Sequence, residues 1–268
     1  MPQVPAATRT LRVLRYLASQ PDPVPLEHIS RACDLPRSTA YHLLAAMVAE
    51  GFVVHLAEDR SYGLGVAAFE VGSGYSRQAP LQRIARHQLA ALVDRTGESA
   101  HLAVLHGRDV LYVVEERSPG RPPLVTDIGV RLPAHLTASG RALLAALPPA
   151  QVRALYPDPE AFVDRTGRGP RRPPALRAVL ASVRRDGHAA EDGEVTLGFA
   201  SVAAAVLDHN QHPVAAVAVT FESTAEGTAP TGLTDEVRRT ASALSRRIGG
   251  RDAAPTRTLV PRQDPQRG

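Results

Sequence analysis

The segment from Leu26 to Glu50 constrains the fold of this chain more than any other. Its apolar spacing predicts two short helices, about Leu26–Cys33 and Pro36–Glu50, joined by a tight turn at Asp34. Aspartate tolerates the positive φ that such a turn uses, and Gly51 is a typical helix terminator. Two helices of this length with a short turn between them are typical of a helix-turn-helix.

A possible β-hairpin follows the second helix. Phe52–Leu56 and Ser61–Leu64 can pair across Ala57–Arg60, which would form a wing. A winged helix-turn-helix places one helix in the major groove of DNA. The alternative for the two helices is a small helical hairpin used for packing or for binding a partner protein.

Side chains suited to DNA contact cluster near the start of the second helix. Arginine can fork onto guanine or phosphate, while hydroxyl, phenol and imidazole groups bond phosphates or base edges. Arg9 on the preceding helix extends the local basic patch. The predicted DNA-binding residues are Arg9, Arg37, Ser38, Thr39, Tyr41 and His42.

The net charge of the N-terminal region gives little support to DNA binding, so any positive surface must be a local patch of arginines. The chain of 268 residues has a formal net charge of +4. Residues 1–75, however, carry six arginines and seven acidic residues, which gives a net charge of −1. A second interpretation therefore stays open, in which the chain regulates through protein contacts and does not bind DNA.

Motifs of enzymes and metal sites are missing from the sequence. The single cysteine, Cys33, excludes an internal disulfide, and the ten histidines lack metal-ligand spacing. Val71–Ser76 does not match the G-x-S-x-G nucleophile elbow, and no nucleotide-binding loop is present. An α+β enzyme is thus the weaker alternative, and no cofactor is expected. Without an apolar signal segment or a run long enough to span a bilayer, a cytoplasmic protein is expected.

The rest of the chain alternates helices with paired strands. The predicted strands are His101–Leu105, Val110–Glu115, Pro123–Ile128, Ser201–Leu207 and Val214–Phe221. Helices at Leu81–Thr96, Ser139–Leu147, Pro149–Tyr156, Ala175–Asp186 and Leu233–Ile248 separate or flank them. Strand pairs with helices between them predict an α+β sandwich.

Several blocks together resemble the IclR family of bacterial transcription regulators. They are Leu26–Met47, the wing tail SYGLG, GVRLPAHLTASGRALL, and RRDGHAAEDGEVTLGFASVAAAVLD followed by PVAAVAV. The match spans roughly residues 8–249. The resemblance implies an α+β fold, with a winged helix-turn-helix over 1–64, a linker helix over 65–78, and a GAF-like effector domain over 79–250. Residues 251–268 are expected to be a disordered tail.

The resemblance also implies partners and a ligand site. It implies homodimers or homotetramers on a palindromic operator in double-stranded DNA, and a small organic acid as effector. The expected sign is repression that the acid releases. The effector-binding residues carried over from the family are Leu132, Ala138, Ser139, Glu191, Ser201, Ala218 and Thr220.

This chain departs from the family pattern at three of these positions. Ala218 stands where some relatives have a hydroxyl, Ser201 where a thiol can occur, and Ala138 where a glycine can occur. The alternative for the whole set is ordinary structure: a helix cap at Ala138–Gly140, core hydrogen bonds at Ser201 and Thr220, and a solvated turn at Glu191 and Asp192.

Overall fold

The computed structural model describes residues 4–78, 80–120, 124, 126–223 and 229–250. The chain divides into two compact units, Met1–Ala79 and Pro80–Gly268. The predicted tail, 251–268, lies outside the described residues. No helix in the described part of the chain is long and apolar enough to cross a membrane.

The N-terminal unit is a helical bundle with a small antiparallel sheet. Its helices are α1 (Pro5–Ala18), α2 (Leu26–Ala32), α3 (Arg37–Ala49) and α4 (Val66–Gln78). Its strands are β1 (Val24–Pro25), β2 (Val53–Leu56) and β3 (Ser61–Leu64), in the order β1-β3-β2. The predicted hairpin is confirmed, with Val53 opposite Leu64 and Leu56 opposite Ser61.

The turn between α2 and α3 forms as predicted. Asp34 has a φ of 53°, in the left-handed region that its short polar side chain tolerates. The Ser30 hydroxyl donates to the Leu35 carbonyl at 2.6 Å, which ties the end of α2 to the start of α3. The helices pack on one apolar core, whose members include Val13, Leu17, Ile29, Cys33, Ala40, Leu44, Met47 and Val53. These contacts fix the orientation of α3 against α1 and α2.

The C-terminal unit is built on one six-stranded antiparallel sheet. Its strands are β4 (Ser99–His106), β5 (Asp109–Glu116), β6 (Arg131–Pro133), β7 (Ala189–Asp192), β8 (Phe199–Leu207) and β9 (Pro213–Glu222). Their order is β6-β5-β4-β9-β8-β7. The helices are α5 (Pro80–Thr96), α6 (Ala138–Ala146), α7 (Pro149–Leu155), α8 (Pro173–Asp186) and α9 (Leu233–Arg247), with a 3-10 turn at Pro159–Ala161. This arrangement confirms the α+β class.

Two apolar cores lie on opposite faces of this sheet, because successive strand residues point to opposite sides. The Val217 and Val219 side chains of β9 pack with Leu89 of α5 and Leu244 of α9. The small Ala216 and Ala218 side chains belong to the other core, with α6 and α8. Small residues on that second face leave room above the sheet.

One predicted strand is wrong, and three short strands, β1, β6 and β7, were not predicted. Leu124 and residues 126–128 lie outside the strands; the edge strand is β6 instead. The chain turns before it, since the Val130 amide donates to the Asp127 carbonyl at 3.0 Å and Gly129 has a φ of 88°. All three are too short to show a clear alternation in sequence.

Candidate functional site

The exposed face of α3 carries most of the side chains predicted to contact DNA. Arg37, Ser38, Tyr41 and His42 are exposed, and Thr39 is half-buried. They face outward because Ala40, Leu44 and Met47 occupy the helical positions that pack on the core. Arg9 is exposed on α1, a different helix.

Arg37 forms a solvent-exposed ion pair with Glu27. Its Nη1 lies 2.9 Å from Glu27 Oε1, and the two side chains are 70% and 62% exposed. An exposed pair of this kind contributes about 0–1 kcal/mol to stability. Arg37 can therefore exchange Glu27 for another anion at little cost.

The C-terminal unit contains a narrow cavity on the α6 side of the sheet. Its volume is about 60 Å³. Side chains from four strands, α6 and two loops surround it. The lining residues are Tyr112, Leu124, Thr126, Thr137, Ala138, Ser139, Glu191, Val195, Thr196, Phe199, Ser201, Ala218 and Thr220.

Strand register aligns three polar side chains along one wall. Glu191 lies directly opposite Ser201, and Ser201 lies opposite Thr220. Directly opposite residues share a face of the sheet, so the three side chains meet. The Ser201 hydroxyl donates to Glu191 Oε1 at 2.8 Å and lies 3.0 Å from Thr220 Oγ1. Asp192 points elsewhere and accepts from the Ser223 hydroxyl at 2.7 Å.

Helix α6 begins at the cavity. Thr137 caps it, because its Oγ1 accepts from the Gly140 amide at 3.0 Å. Gly140 is required at this point, since a Cβ there would collide with the Ala134 carbonyl oxygen. Ser139 is buried, and its hydroxyl has no hydrogen-bond partner among the described residues. An unpartnered hydroxyl and the positive end of a helix dipole thus face the same space.

The acidic wall of the cavity holds a proton unusually well. Burial raises the pKa of Glu191 to about 7, although Ser201 and the Glu194 amide bond the carboxylate and lower the pKa. Behind it, Arg141 Nη1 lies 2.7 Å from Glu194 Oε2. Arg141 also donates to the carbonyls of His135 and Ala190, at 2.9 and 2.8 Å. The guanidinium is thereby held in the protein interior.

The opposite wall is formed by Tyr112 and Thr126. Burial raises the pKa of the Tyr112 phenol, and the nearby Ser139 hydroxyl opposes this only in part. Tyr112 is therefore a neutral phenol at physiological pH. Thr126 Oγ1 lies 2.8 Å from Nε2 of the fully buried His101. The cavity accordingly contains hydroxyl groups on several sides and one carboxyl.

Comparison with known protein families matches both units. The model of the IclR helix-turn-helix domain matches residues 6–57, and that of the bacterial transcriptional regulator IclR C-terminal domain matches residues 74–246. The chain belongs to the IclR family. It is a DNA-binding transcriptional regulator of that family, and the family consists of regulators rather than enzymes.

Similar IclR-family proteins cover most of the chain. The glycerol operon regulatory protein of Streptomyces coelicolor is 34% identical over 244 residues, 90% of this chain and 95% of its own length. The transcriptional repressor IclR of Escherichia coli is 30% identical, over 81% of this chain and 80% of its own. An IclR homologue from Microbacterium hydrocarbonoxydans, solved with 4-hydroxybenzoate, has the same fold, with a TM-score of 0.78 at 22% identity over 91% of this chain and 98% of its own.

In this IclR-family chain, most of the predicted effector residues lie together. Ala138, Ser139, Glu191, Ser201, Ala218 and Thr220 all line the cavity. Leu132 does not line it; it pairs with Val110 at the sheet edge and packs into the core.

Sequence analysis missed seven of the thirteen residues that line the cavity. Tyr112, Thr126 and Thr137 were not predicted, although the T of HLTASG immediately precedes the residues that were. The N-cap signal of Thr137 before α6 could have identified it. Thr126 carries no such signal, because the sequence predicts a strand over its segment.

Proposed function

We propose that this regulator binds a palindromic operator and represses the target genes. It dissociates from the operator when a small organic acid binds in the cavity. The observation that carries the proposal is the buried, unpartnered Ser139 hydroxyl at the N-terminus of α6. A carboxylate there would accept hydrogen bonds from the hydroxyl and from free backbone amides. The homologue solved with 4-hydroxybenzoate supports a small organic acid as the ligand.

The proposed DNA contacts lie on the exposed face of α3. Arg37, Ser38, Thr39, Tyr41 and His42 would enter the major groove, and Arg9 of α1 would contact a phosphate. Most of these side chains are exposed and grouped near the start of the helix, where recognition helices of this class meet base edges. The proposal places this activity in the cytoplasm, on double-stranded DNA.

A homodimer, or a homotetramer built from two of them, would supply the second recognition helix. Exposed apolar side chains on α4 and at the wing end support this assembly. Phe69 is 75% exposed, and Val66, Val71 and Leu64 are also exposed. Apolar side chains grouped on a short helix lose their contact with water when a second copy covers them. The acid would then act by favouring one spacing of the two α3 helices over another.

The proposal is tested by a gel shift of the purified protein on the region upstream of its own gene. The shift is measured at two salt concentrations, with acetate, succinate, benzoate and 4-hydroxybenzoate each added in turn. A specific shift that weakens with salt and that one acid reduces is the expected result, because phosphate contacts release counterions. A shift that no acid changes would contradict the effector half of the proposal.

The variant Ser139→Leu tests whether the response to the acid can be lost without loss of DNA binding. The larger side chain fills the cavity, so we expect the response to the acid to be lost while DNA affinity stays within about twofold. Ser182→Leu is the matched control, because Ser182 is half-buried on α8 and does not line the cavity. A normal acid response in Ser139→Leu would exclude the cavity as the effector site.

A further inference from the structure

A buried histidine stands behind the wall of the cavity. His101 of β4 is fully buried and lies on the cavity face of the sheet, directly opposite Ala218. It contacts two lining residues: its ring meets the Tyr112 ring edge-on at 5.7 Å, and its Nε2 lies 2.8 Å from Thr126 Oγ1. The proposed function gives this contact no role.

A carboxylate determines which atom of His101 carries the hydrogen. Glu115 lies opposite His101 on the neighbouring strand, with its Oε1 3.7 Å from Nε2. Burial works to raise the pKa of Glu115, but the nearby His101 ring and the Arg117 guanidinium, whose Nε lies 3.0 Å from Oε2, outweigh it and lower that pKa. Arg117 also lies 3.2 Å from Asp127. Glu115 is therefore ionised.

The hydrogen of His101 consequently belongs on Nε2. A bare Nε2 lone pair would face the Glu115 carboxylate and be repelled by it, whereas an N–H is attracted. Nδ1 has no hydrogen-bond partner among the described residues. With the hydrogen on Nε2, only the Nδ1 lone pair is left without a partner. With the hydrogen on Nδ1, an N–H would be left unpaired and the attraction between Nε2–H and Glu115 would also be lost, which costs more. Nε2–H then donates to Thr126 Oγ1.

When His101 donates the hydrogen bond, the Thr126 hydroxyl acts as its acceptor. A hydroxyl that accepts from a neighbour keeps its own hydrogen free to donate. Thr126 lines the cavity, so its hydrogen is available to an acceptor placed there. Ser139 supplies a second hydroxyl, which lies beside the Tyr112 phenol but makes no hydrogen bond of good geometry among the described residues.

We propose that His101 is a positioning residue that, with Glu115, fixes the Thr126 hydroxyl as a hydrogen-bond donor to the carboxylate of the effector. This inference rests on the proposed function, because it needs an acid in the cavity. It adds a second binding group for that acid, on the wall formed by Tyr112 and Thr126. It also gives a role to the histidine and the glutamate that occupy paired positions on β4 and β5.

The direction of the bond can be measured without any effector. Long-range ¹H–¹⁵N correlation spectra of the imidazole rings report which ring nitrogen carries hydrogen, and His101→Gln assigns the His101 signals. We expect a protonated Nε2 in the full-length protein. A bare Nε2 with hydrogen on Nδ1 would overturn the proposal.

The role of Thr126 is measured by calorimetric titration with acetate, succinate, benzoate and 4-hydroxybenzoate. For the acid that the wild-type protein binds most tightly, we expect Thr126→Val to lower the affinity about tenfold or more, since a bond to a charged group is lost. Thr126→Ser keeps the hydroxyl and should bind within about threefold of wild type. Valine has nearly the shape of threonine, which isolates the hydroxyl from packing.

Variants of His101 then connect the two measurements. His101→Leu should lower the affinity as Thr126→Val does, and the double variant should be no worse than either, because both remove one interaction. His101→Gln, whose amide can donate to Thr126, should restore much of the binding. Additive losses would mean that His101 acts on binding by another route and would overturn the proposal.

Two failures remain distinguishable. If none of the four acids binds the wild-type protein in titration, both the proposed function and this inference are overturned. If an acid binds the wild type and Thr126→Val binds it equally well, only the role of His101 and Thr126 is overturned.

Discussion

Two arginine–glutamate pairs show how differently the two units use charge. Arg37 and Glu27 on the helix-turn-helix are 2.9 Å apart, and both side chains are more than half exposed. Arg141 and Glu194 beside the cavity are 2.7 Å apart, with side chains 4% and 16% exposed. The first pair is open to exchange with an anionic partner. The second pair is enclosed by protein and fixes structure.

The difference lies in the cost of breaking each pair. Water replaces either partner of the exposed pair, so its net contribution is small. Removing one partner of a buried pair leaves the other charge without solvent or counter-charge, which costs about 3–5 kcal/mol. A binding surface therefore favours the first arrangement, and a preorganised cavity favours the second.

The largest expected effect is on folding. Arg141→Ala should lower the free energy of unfolding by about 3–5 kcal/mol, because it leaves Glu194 unpaired and the carbonyls of His135 and Ala190 without their donor. Arg37→Ala is the matched control and should change the stability by less than about 0.5 kcal/mol. Urea denaturation of both variants measures this. Equal destabilisation would show that burial does not separate the two pairs.

A second prediction concerns the pH dependence of stability. The pKa of Glu191 is raised to about 7 by burial, so the folded protein binds a proton that the unfolded chain has released above about pH 4.5. Stability from this group is complete below that value and is lost as the pH rises through 7. The loss amounts to at most about 3 kcal/mol.

Glu191→Gln removes this titration. Its glutamine stays neutral, so the free energy of unfolding should depend less steeply on pH between about 5 and 8 than in the wild type. At pH 8 the variant should be the more stable of the two proteins. Thermal unfolding across that range is the measurement, and parallel curves for the two proteins would show that Glu191 is already ionised at low pH.

The two units also differ in how far their sequences predict them. The limits of α2 and α3 and the positive φ of Asp34 follow from neighbouring residues, because helix spacing and turn preferences are local. The cavity instead depends on strand register. Glu191 follows α8 by a few residues and was open to interpretation as a turn; pairing with Ser201 and then Thr220 places it in the wall.

Residues without a local signal were missed for the same reason. Thr126 comes directly before the turn at Asp127–Val130 and contacts His101, which is distant in sequence. Leu132 was carried over from the family resemblance, but its pairing with Val110 directs it into the core. The family resemblance named six of the thirteen residues that line the cavity, whereas periodicity and spacing alone could not have brought them together.

The smallest expected effect is at the exposed pair. Arg37→Ala should weaken operator binding about tenfold per subunit and reduce its salt dependence, because one contact to a base or phosphate is lost. Arg177→Ala is the control, since Arg177 is exposed on α8 in the C-terminal unit.

Glu27→Gln should act in the opposite direction and strengthen operator binding slightly, because it frees Arg37 from the Glu27 carboxylate. Titration of labelled operator DNA at two salt concentrations measures all three. Unchanged binding by Arg37→Ala would remove Arg37 from the interface and would leave its ion pair with Glu27 as an ordinary surface contact.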